Sequence, residues 1–429
     1  MSANQQQSRR GFLKRTASAG MALAMPTIIP SRVLGADAPS NRVAMAHIGV
    51  GGRGGGLCRS FTHLNNCRVT GVCDPFKSRR ETHTSWVNQQ YEGQFCTAHN
   101  DLREVLARDD IDAVVIATPD HWHVPAAFMA LQNGKDVYVE KPLGISMRQN
   151  LALRDACHRY GTVFQYGTQQ RSSSHIRFAC ELVRNGRIGK LQSVEVHSPS
   201  SGQGGSTTPI PVPKGFDYDL WLGPAPDAPY TKDRCTSNGS WFISDYALGF
   251  IAGWGAHPLD VAVWGLGDTW EAVPIEYKGT GVFPTEGLFD TATSWTVRGT
   301  YANGADFLFK GPGGNLTIFT GDKGKVTVSR ESLETEPASL KKDVIGPDEL
   351  HLYNSRQHYQ NFVDCIRTRQ PTVNPVDSAV YSDAISHLSD IAIRTGRTIK
   401  WAPEAETIVG DDQAKRMLNR TNRGPWPAG

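Results

Sequence analysis

From residue 43 onward, short apolar runs of strand length alternate with longer segments of mixed polarity. The runs are Val43–Ile48, 68–73, 112–117, Asp136–Val139 and 163–166, with a helix predicted over 151–159. Strands and helices in turn give the βαβαβ rhythm of a doubly wound α/β domain. Beyond residue 167 the pattern changes. Leu191–His197 alternates apolar and polar residues as a half-buried strand does. Further strands are predicted at 293–301, 305–310, 316–319 and 325–328, joined by Asn303-Gly304, Gly313-Gly314 and Asp322-Lys323-Gly324 turns. Helices are expected at 256–264, 356–367 and 378–394, and no internal repeat is present. The stretch 199–239 is rich in Pro, Gly, Ser and Thr, and so long an irregular segment is expected to be a lid or a partner arm.

The first run leads into Gly49-Val50-Gly51-Gly52-Arg53-Gly54, a G-x-G-x-x-G pattern. Glycine at those spacings lets a chain turn tightly and present backbone N–H groups to a pyrophosphate at a helix N-terminus. With 43 glycines in the chain such a spacing arises readily by chance, so its neighbours matter. The second run ends on Asp74, where a carboxylate holds adenosine ribose hydroxyls. These features predict a Rossmann domain binding NAD. The basic residues Lys77, Arg79 and Arg80 keep NADP open as an alternative.

The charge balance, 45 Lys plus Arg against 42 Asp plus Glu, gives no reason to expect nucleic acid or an anionic membrane as partner. The N-terminal segment reads as an address. Ser8-Arg9-Arg10-Gly11-Phe12-Leu13-Lys14 is a twin-arginine pattern, followed by a mild apolar run from Ala17 to Ile29 and by Ala36-Asp37-Ala38. The expectation is a twin-arginine signal over residues 1–38, a periplasmic or otherwise exported product, and no membrane span in the mature chain. Away from a soluble nicotinamide pool, the cofactor must be tightly bound and restored within each cycle. The eight cysteines show no C-x-x-C spacing, which disfavours zinc and thioredoxin-like chemistry.

At the carboxyl ends of the later strands stand Thr118-Pro119-Asp120-His121-Trp122-His123 and Glu140-Lys141-Pro142. Thr118, Pro119, His121, His123 and Glu140 are read as cofactor contacts, together with Gly49, Gly51, Gly52, Arg53, Gly54 and Asp74. His121 and His123 lack a third ligand at helical spacing, so no metal is expected. A partly desolvated Lys141 at this edge exchanges a proton with a sugar hydroxyl while hydride moves. Arg171, at the expected domain junction, is read as a substrate ligand, with a structural salt bridge as its alternative.

The glycine motif, Asp74 and the Glu140-Lys141-Pro142 turn resemble the glucose–fructose oxidoreductase/inositol dehydrogenase (Gfo/Idh/MocA) family. The twin-arginine leader, residues 118–123, Trp221-Leu-Gly-Pro-Ala225 and Arg423-Gly-Pro-Trp426 resemble an exported branch of it. The resemblance implies a Rossmann domain over 39–167. It also implies a second α/β domain over 168–429, with an open, mostly antiparallel sheet used for homo-oligomer formation. It further implies carbohydrate substrates, Lys141 as a catalytic residue and His257 beside it as acid/base or hydroxyl ligand. Asp260, one turn on, is expected to orient His257 and to help bind substrate. Many family dehydrogenases carry an aspartate four residues before this histidine. Here that position is Gly253, and Asp245 or Tyr246 are the candidate substitutes.

The leading expectation is an exported NAD(P)-dependent oxidoreductase acting on a sugar, polyol or glycoside with internally recycled cofactor. The second is a redox-neutral glycoside hydrolase or lyase using transient oxidation, which export and Gly253 favour. The third is a non-catalytic sugar-binding protein.

Overall fold

The computed structural model describes residues 42–427; the twin-arginine segment and the small residues after it lie outside the described residues. The first sheet is built from β1 (Val43–Ile48), β2 (Cys67–Cys73), β3 (Thr97–His99), β4 (Ala113–Ile116), β5 (Asp136–Val139) and β6 (Phe164–Tyr166). Its order is β3-β2-β1-β4-β5-β6, with every pair parallel. Helices α1 (Gly52–Thr62), α2 (Lys77–Gln90), α3 (Leu102–Leu106), α4 (His123–Gln132) and α5 (Met147–Tyr160) make the crossovers. β4 and β5 are buried at every residue, which is why the apolar runs are continuous: helices cover both faces. The strand order reverses between β1 and β4, so a crevice opens beyond their carboxyl ends. The structure begins α5 at Met147, earlier than the predicted 151, because Ser146 accepts the Gln149 N–H as a cap.

After α6 (Ser174–Arg184) comes the second sheet, of nine strands in the order β13-β12-β11-β7-β10-β9-β8-β14-β15. These are β7 (Leu191–His197), β8 (Glu276–Val282), β9 (Ser294–Thr300), β10 (Asp306–Gly311), β11 (Leu316–Gly321), β12 (Lys325–Ser329), β13 (Leu333–Glu336), β14 (Ile399–Ala402) and β15 (Thr407–Val409). Only β7 and β10 pair in parallel. Between β7 and β8 lie the short α7 (Tyr218–Leu222), α8 (Ser237–Phe242) and α9 (Phe250–Gly253), and then α10 (Ala256–Leu266). Late in the chain come α11 (His358–Thr368) and α12 (Val376–Thr395). Strand burial alternates, as in β12, so one face takes the apolar side chains beneath α6, α10 and α12. α11 returns to the first sheet, where Phe362 packs edge-on against Phe61 and Tyr138. All eight cysteines are buried and unpaired. No helix among the described residues is long and apolar enough to cross a membrane.

Four buried imidazoles, His47, His121, His358 and His387, are each pushed down to about 3, chiefly by burial. The unfolded chain protonates them near the ordinary 6.5, so they favour unfolding as pH falls from about 6.5 towards 3. Asp383, raised to about 7 by burial, works in the opposite sense. The fold holds its proton below that value, so it costs stability as pH rises from about 4 to 7. His83, His123 and His257 are lowered too, and Asp74, Asp120, Asp136, Asp245 and Asp260 are raised with Asp383. The imidazoles' ordinary value lies inside pH 4.5–7 and the carboxyls' below it, so the melting temperature should fall between pH 7 and pH 4.5. A flat thermal profile over that range would contradict this assignment.

Candidate active site

The crevice is a cleft of about 970 Å³ lined by Gly49, Gly51, Gly52, Arg53, Asp74, Thr118 and Pro119 among others. Gly49 sits at φ +80°, and a Cβ there would lie 2.7 Å from the Ala117 carbonyl oxygen. A Cβ on Gly54 would overlap the Gly49 carbonyl, whereas one on Gly52 would meet open space. The first two glycines therefore let α1 approach β1 closely, and the Gly51-Gly52 backbone is left bare towards the cleft. Asp74 accepts the Val50 N–H and the Phe76 N–H, both at 2.9 Å, one on each carboxylate oxygen. Each oxygen keeps a free lone pair for a ribose hydroxyl. A bare glycine cradle at a helix N-terminus with a fixed carboxylate across from it fits a dinucleotide.

The irregular stretch 199–239 closes over this cleft. Phe216 stacks on Phe76 with ring centroids 3.7 Å apart, and Asn100 Nδ2 donates to Asp217 at 2.7 Å. The Trp122 indole donates to the Trp221 carbonyl at 3.1 Å. Leu220, Trp221, Cys235, Thr236, Ser237, Ser240 and Trp241 complete the cleft wall. A later segment holds this strap down. Arg423 donates to Asp219 and Asp227, both at 2.7 Å, and to the Gly223 carbonyl at 3.0 Å, while Trp426 packs edge-on against Trp122. The sequence motifs 118–123, 221–225 and 423–426 are thus three sides of one clamp over the cofactor cleft.

A second chamber of about 1010 Å³ shares Gly52, Arg53, Ala117, Thr118, Ser237 and Trp241 with the first. Into it come Asp120, Glu140, Lys141, Gln169, Trp254, His257 and Arg330. The end of β5 delivers Glu140, which binds Arg53 Nε at 2.7 Å. Lys141 Nζ donates to the Gly253 carbonyl oxygen and lies 5.5 Å from the Trp254 ring centre. His257, at the start of α10, is buried with Nδ1 unpartnered. Burial above all, then the charges of Lys141 and Arg330, hold its pKa well below the usual imidazole value, so it is neutral. Burial likewise lowers Lys141 and raises Asp120, each opposed by the other's charge. The chamber therefore holds a neutral imidazole beside a lysine and a carboxyl whose proton affinities are drawn together.

Asp120 is the residue that sequence reading passed over. It stood between Pro119 and His121 in a segment read for its histidines, and the short 3₁₀ turn Asp120–Trp122 places it in the wall of the chamber that Lys141 lines. It puts a carboxyl into the chamber wall, where Gly253 puts none. Asp245 and Tyr246 do not: neither lines the chamber, and the Tyr246 hydroxyl accepts from Arg234 at 2.9 Å.

Arg171 and Asp260 require correction as substrate ligands. Arg171 is 1 % exposed and lies between Asp260 and Asp268, each at 2.7 Å. Asp260 also accepts from Thr168 at 2.6 Å and Asn374 at 3.0 Å, so its oxygens are committed away from His257. A buried guanidinium needs carboxylates around it, and this pair locks the domain junction. His121 is also corrected. It lines neither cavity and turns Nε2 towards the Trp221 carbonyl under the strap. His123 borders the chamber, but its two ring nitrogens face the Pro142 and Thr118 carbonyls at 2.7 and 3.0 Å. It braces the turn that carries Lys141.

The family model described as the NAD-binding Rossmann fold of the oxidoreductase family matches residues 43–168, and that of its C-terminal alpha/beta domain matches residues 200–428. The chain belongs to the Gfo/Idh/MocA oxidoreductase family, and its first domain is an NAD-binding one. A glycosyl hydrolase family 109 protein of Shewanella pealeana is 32 % identical over 138 residues, which is 31 % of this chain and 30 % of that protein. The 2,7-anhydro-N-acetylneuraminate hydratase of Mediterraneibacter gnavus is 27 % identical over 160 residues, 37 % of this chain and 40 % of the relative. The alignments thus span well under half the length of these curated relatives. Among solved structures, the WlbA dehydrogenase of Bordetella pertussis, in complex with NADH and UDP-GlcNAcA, superposes with a TM-score of 0.62 at 15 % identity. The match covers 84 % of this chain and 99 % of that one, and at that identity it speaks for the fold.

Asp74→Ala is expected to weaken NAD binding by roughly 1.5–3 kcal/mol, the scale of charge-assisted hydrogen bonds, measured by calorimetry on nucleotide-stripped protein. Wild-type preference for NADP, unchanged by the substitution, would remove Asp74 from the ribose.

Proposed function

We propose that the protein transforms a carbohydrate without net redox change, keeping its NAD bound and restoring it in each turnover. The observation carrying this reading is the strap over the dinucleotide cleft, pinned along residues 216–227 to the first domain and to Arg423. A cofactor enclosed in this way is ill suited to exchange once per turnover, whereas one restored in place needs no exit. Gly49, Gly51, Gly52, Arg53 and Asp74 would hold NAD, which when bound would supply a reversible hydride acceptor; the neighbouring C–H of a sugar carbon oxidised there would become acidic.

The chain's own groups manage the protons. Lys141 takes the hydroxyl proton as that carbon is oxidised and returns it at the end. Asp120 balances the lysine's charge and can share its proton. Neutral His257 takes the proton from the acidified C–H, the C–O bond on the next carbon along breaks as a C=C forms, and the departing oxygen leaves with that proton. Addition of water by the reverse sequence completes a hydrolysis, and without it the product is an alkene. The names of the relatives, a glycosyl hydrolase family and a hydratase, support this class of reaction. Net dehydrogenation followed by reduction of a second sugar is the other reading, and the oxidoreductase family favours it.

The two separate in D₂O. Glycosides incubated with the purified protein should release product with no accumulation of absorbance at the reduced-nicotinamide wavelength. The product should also carry deuterium at the carbon that lost its proton. Accumulated oxidised sugar without deuterium would replace this reading with the second. The twin-arginine leader supports an exported site of action, and the open face of the second sheet supports self-association. Cell fractionation and sedimentation would test these.

A further inference from the structure

Among the described residues the chamber holds one arginine, Arg330, that neither the proton transfers nor a carboxylate engages. Arg330 stands in the hairpin between β12 and β13, which is closed by the Ser329 N–H to the Ser332 carbonyl at 2.9 Å. A second contact fixes this hairpin to the body: the Ser329 carbonyl lies 3.0 Å from His175 Nε2. Arg330 lines the same chamber as Lys141 and His257, with its guanidinium carbon 5.6 Å from the centre of the Trp254 ring.

The charged walls of that chamber are Arg53, Lys141 and Arg330 against Glu140 and Asp120. Glu140 is taken by Arg53 at 2.7 Å, and Lys141 donates to the Gly253 carbonyl. Among the described residues Arg330 has no carboxylate within 4.0 Å and no hydrogen bond. An exposed arginine is ordinarily a solvated surface group. This one differs in being held over an indole at the wall of the reaction chamber, where its donors stay free. A guanidinium at cation–π distance from an aromatic face keeps its planar fork available for two parallel hydrogen bonds to an oxyanion, which a lysine cannot imitate.

We propose that the substrate carries an oxyanion (a carboxylate, sulfate or phosphate on the sugar) and that Arg330 is the specificity-determining residue that binds it, in the same chamber as Lys141 and His257. The inference rests on the carbohydrate reading above and names the substrate class of that site.

The test uses the full chain with its nucleotide bound. Methyl glucosides and methyl galactosides are titrated by calorimetry, each with carbon 6 as alcohol, carboxylate, sulfate or phosphate. At least one anionic form should bind about 10–100-fold tighter than its neutral parent, and which form does so identifies the oxyanion. In Arg330→Gln that preference should collapse to about unity, and Arg330→Lys should restore only part of it. Thermal melts check that both variants remain folded. Equal binding of neutral and anionic sugars, or an Arg330→Gln variant that keeps the preference, would overturn the proposal alone. Binding of no sugar of either kind would overturn the carbohydrate reading and the proposal with it.

Discussion

Replacing Lys141 with methionine is expected to lower turnover by about 10²–10⁴-fold, the usual contribution of one general acid–base group, while the bound nucleotide stays in place. The two outcomes separate because different parts of the chain carry them. The dinucleotide cleft is walled by the glycine turn, Asp74 and the strap, and Lys141 lines only the adjoining chamber. Its ammonium reaches the Gly253 carbonyl and the Trp254 face, and methionine keeps the length of the chain without the proton. Burial lowers the lysine's proton affinity. Turnover limited by its basic form should therefore rise with pH through a value below the ordinary lysine pKa, and that limb should vanish in the variant. His257→Ala should lower turnover by a similar factor. Because both groups serve one sequence of proton transfers, the double variant should be little worse than the poorer single one. A Lys141→Met enzyme that turns over at the native rate would remove the lysine from the reaction.

Gly54→Ala should leave the purified protein without nucleotide. The added methyl would overlap the backbone carbonyl of Gly49, and a second contact waits at the Ala117 Cβ, 3.2 Å away. Neither is the movable end of a side chain, so α1 must shift from β1. Such overpacking typically costs about 1–3 kcal/mol, and it falls on the turn whose N–H groups hold the pyrophosphate. Nucleotide content by absorbance and mass would measure the loss, with circular dichroism showing that the fold persists. Gly52→Ala is the control, since a Cβ there meets nothing within 4 Å. Equal nucleotide content in the two variants would show that the turn is not what holds the cofactor.

The Rossmann half was legible because its signals are local. Gly49, Gly51 and Gly54 lie within one turn, Asp74 closes the second strand, and Lys141 stands at the end of a short apolar run. β8 escaped notice for a physical reason. Gly279 and Gly281 interrupt its pattern, and they are there because α12 packs so closely that a Cβ on either would press on Ile393. Asp260 was misread, and Arg171 left between a substrate ligand and a salt bridge, because their partnership spans 89 residues, and chain order carries no trace of that contact. Asp120 was missed for the reverse reason: its neighbours His121 and His123 looked the more chemical residues, yet both are committed to backbone carbonyls.

The clamp over the cofactor also has a schedule. Arg423 meets the Gly223 carbonyl across 200 residues of chain, so a ribosome completes the glycine turn and the strap long before it makes the residue that fastens them. Through that interval the cover rests on contacts such as those to Phe76, Asn100 and Trp122, without the Arg423 hydrogen bonds. Nucleotide can enter a half-made protein more easily than a finished one. The order of synthesis thus favours loading first and sealing last, and the supply of NAD during translation bears on how much protein leaves the ribosome competent.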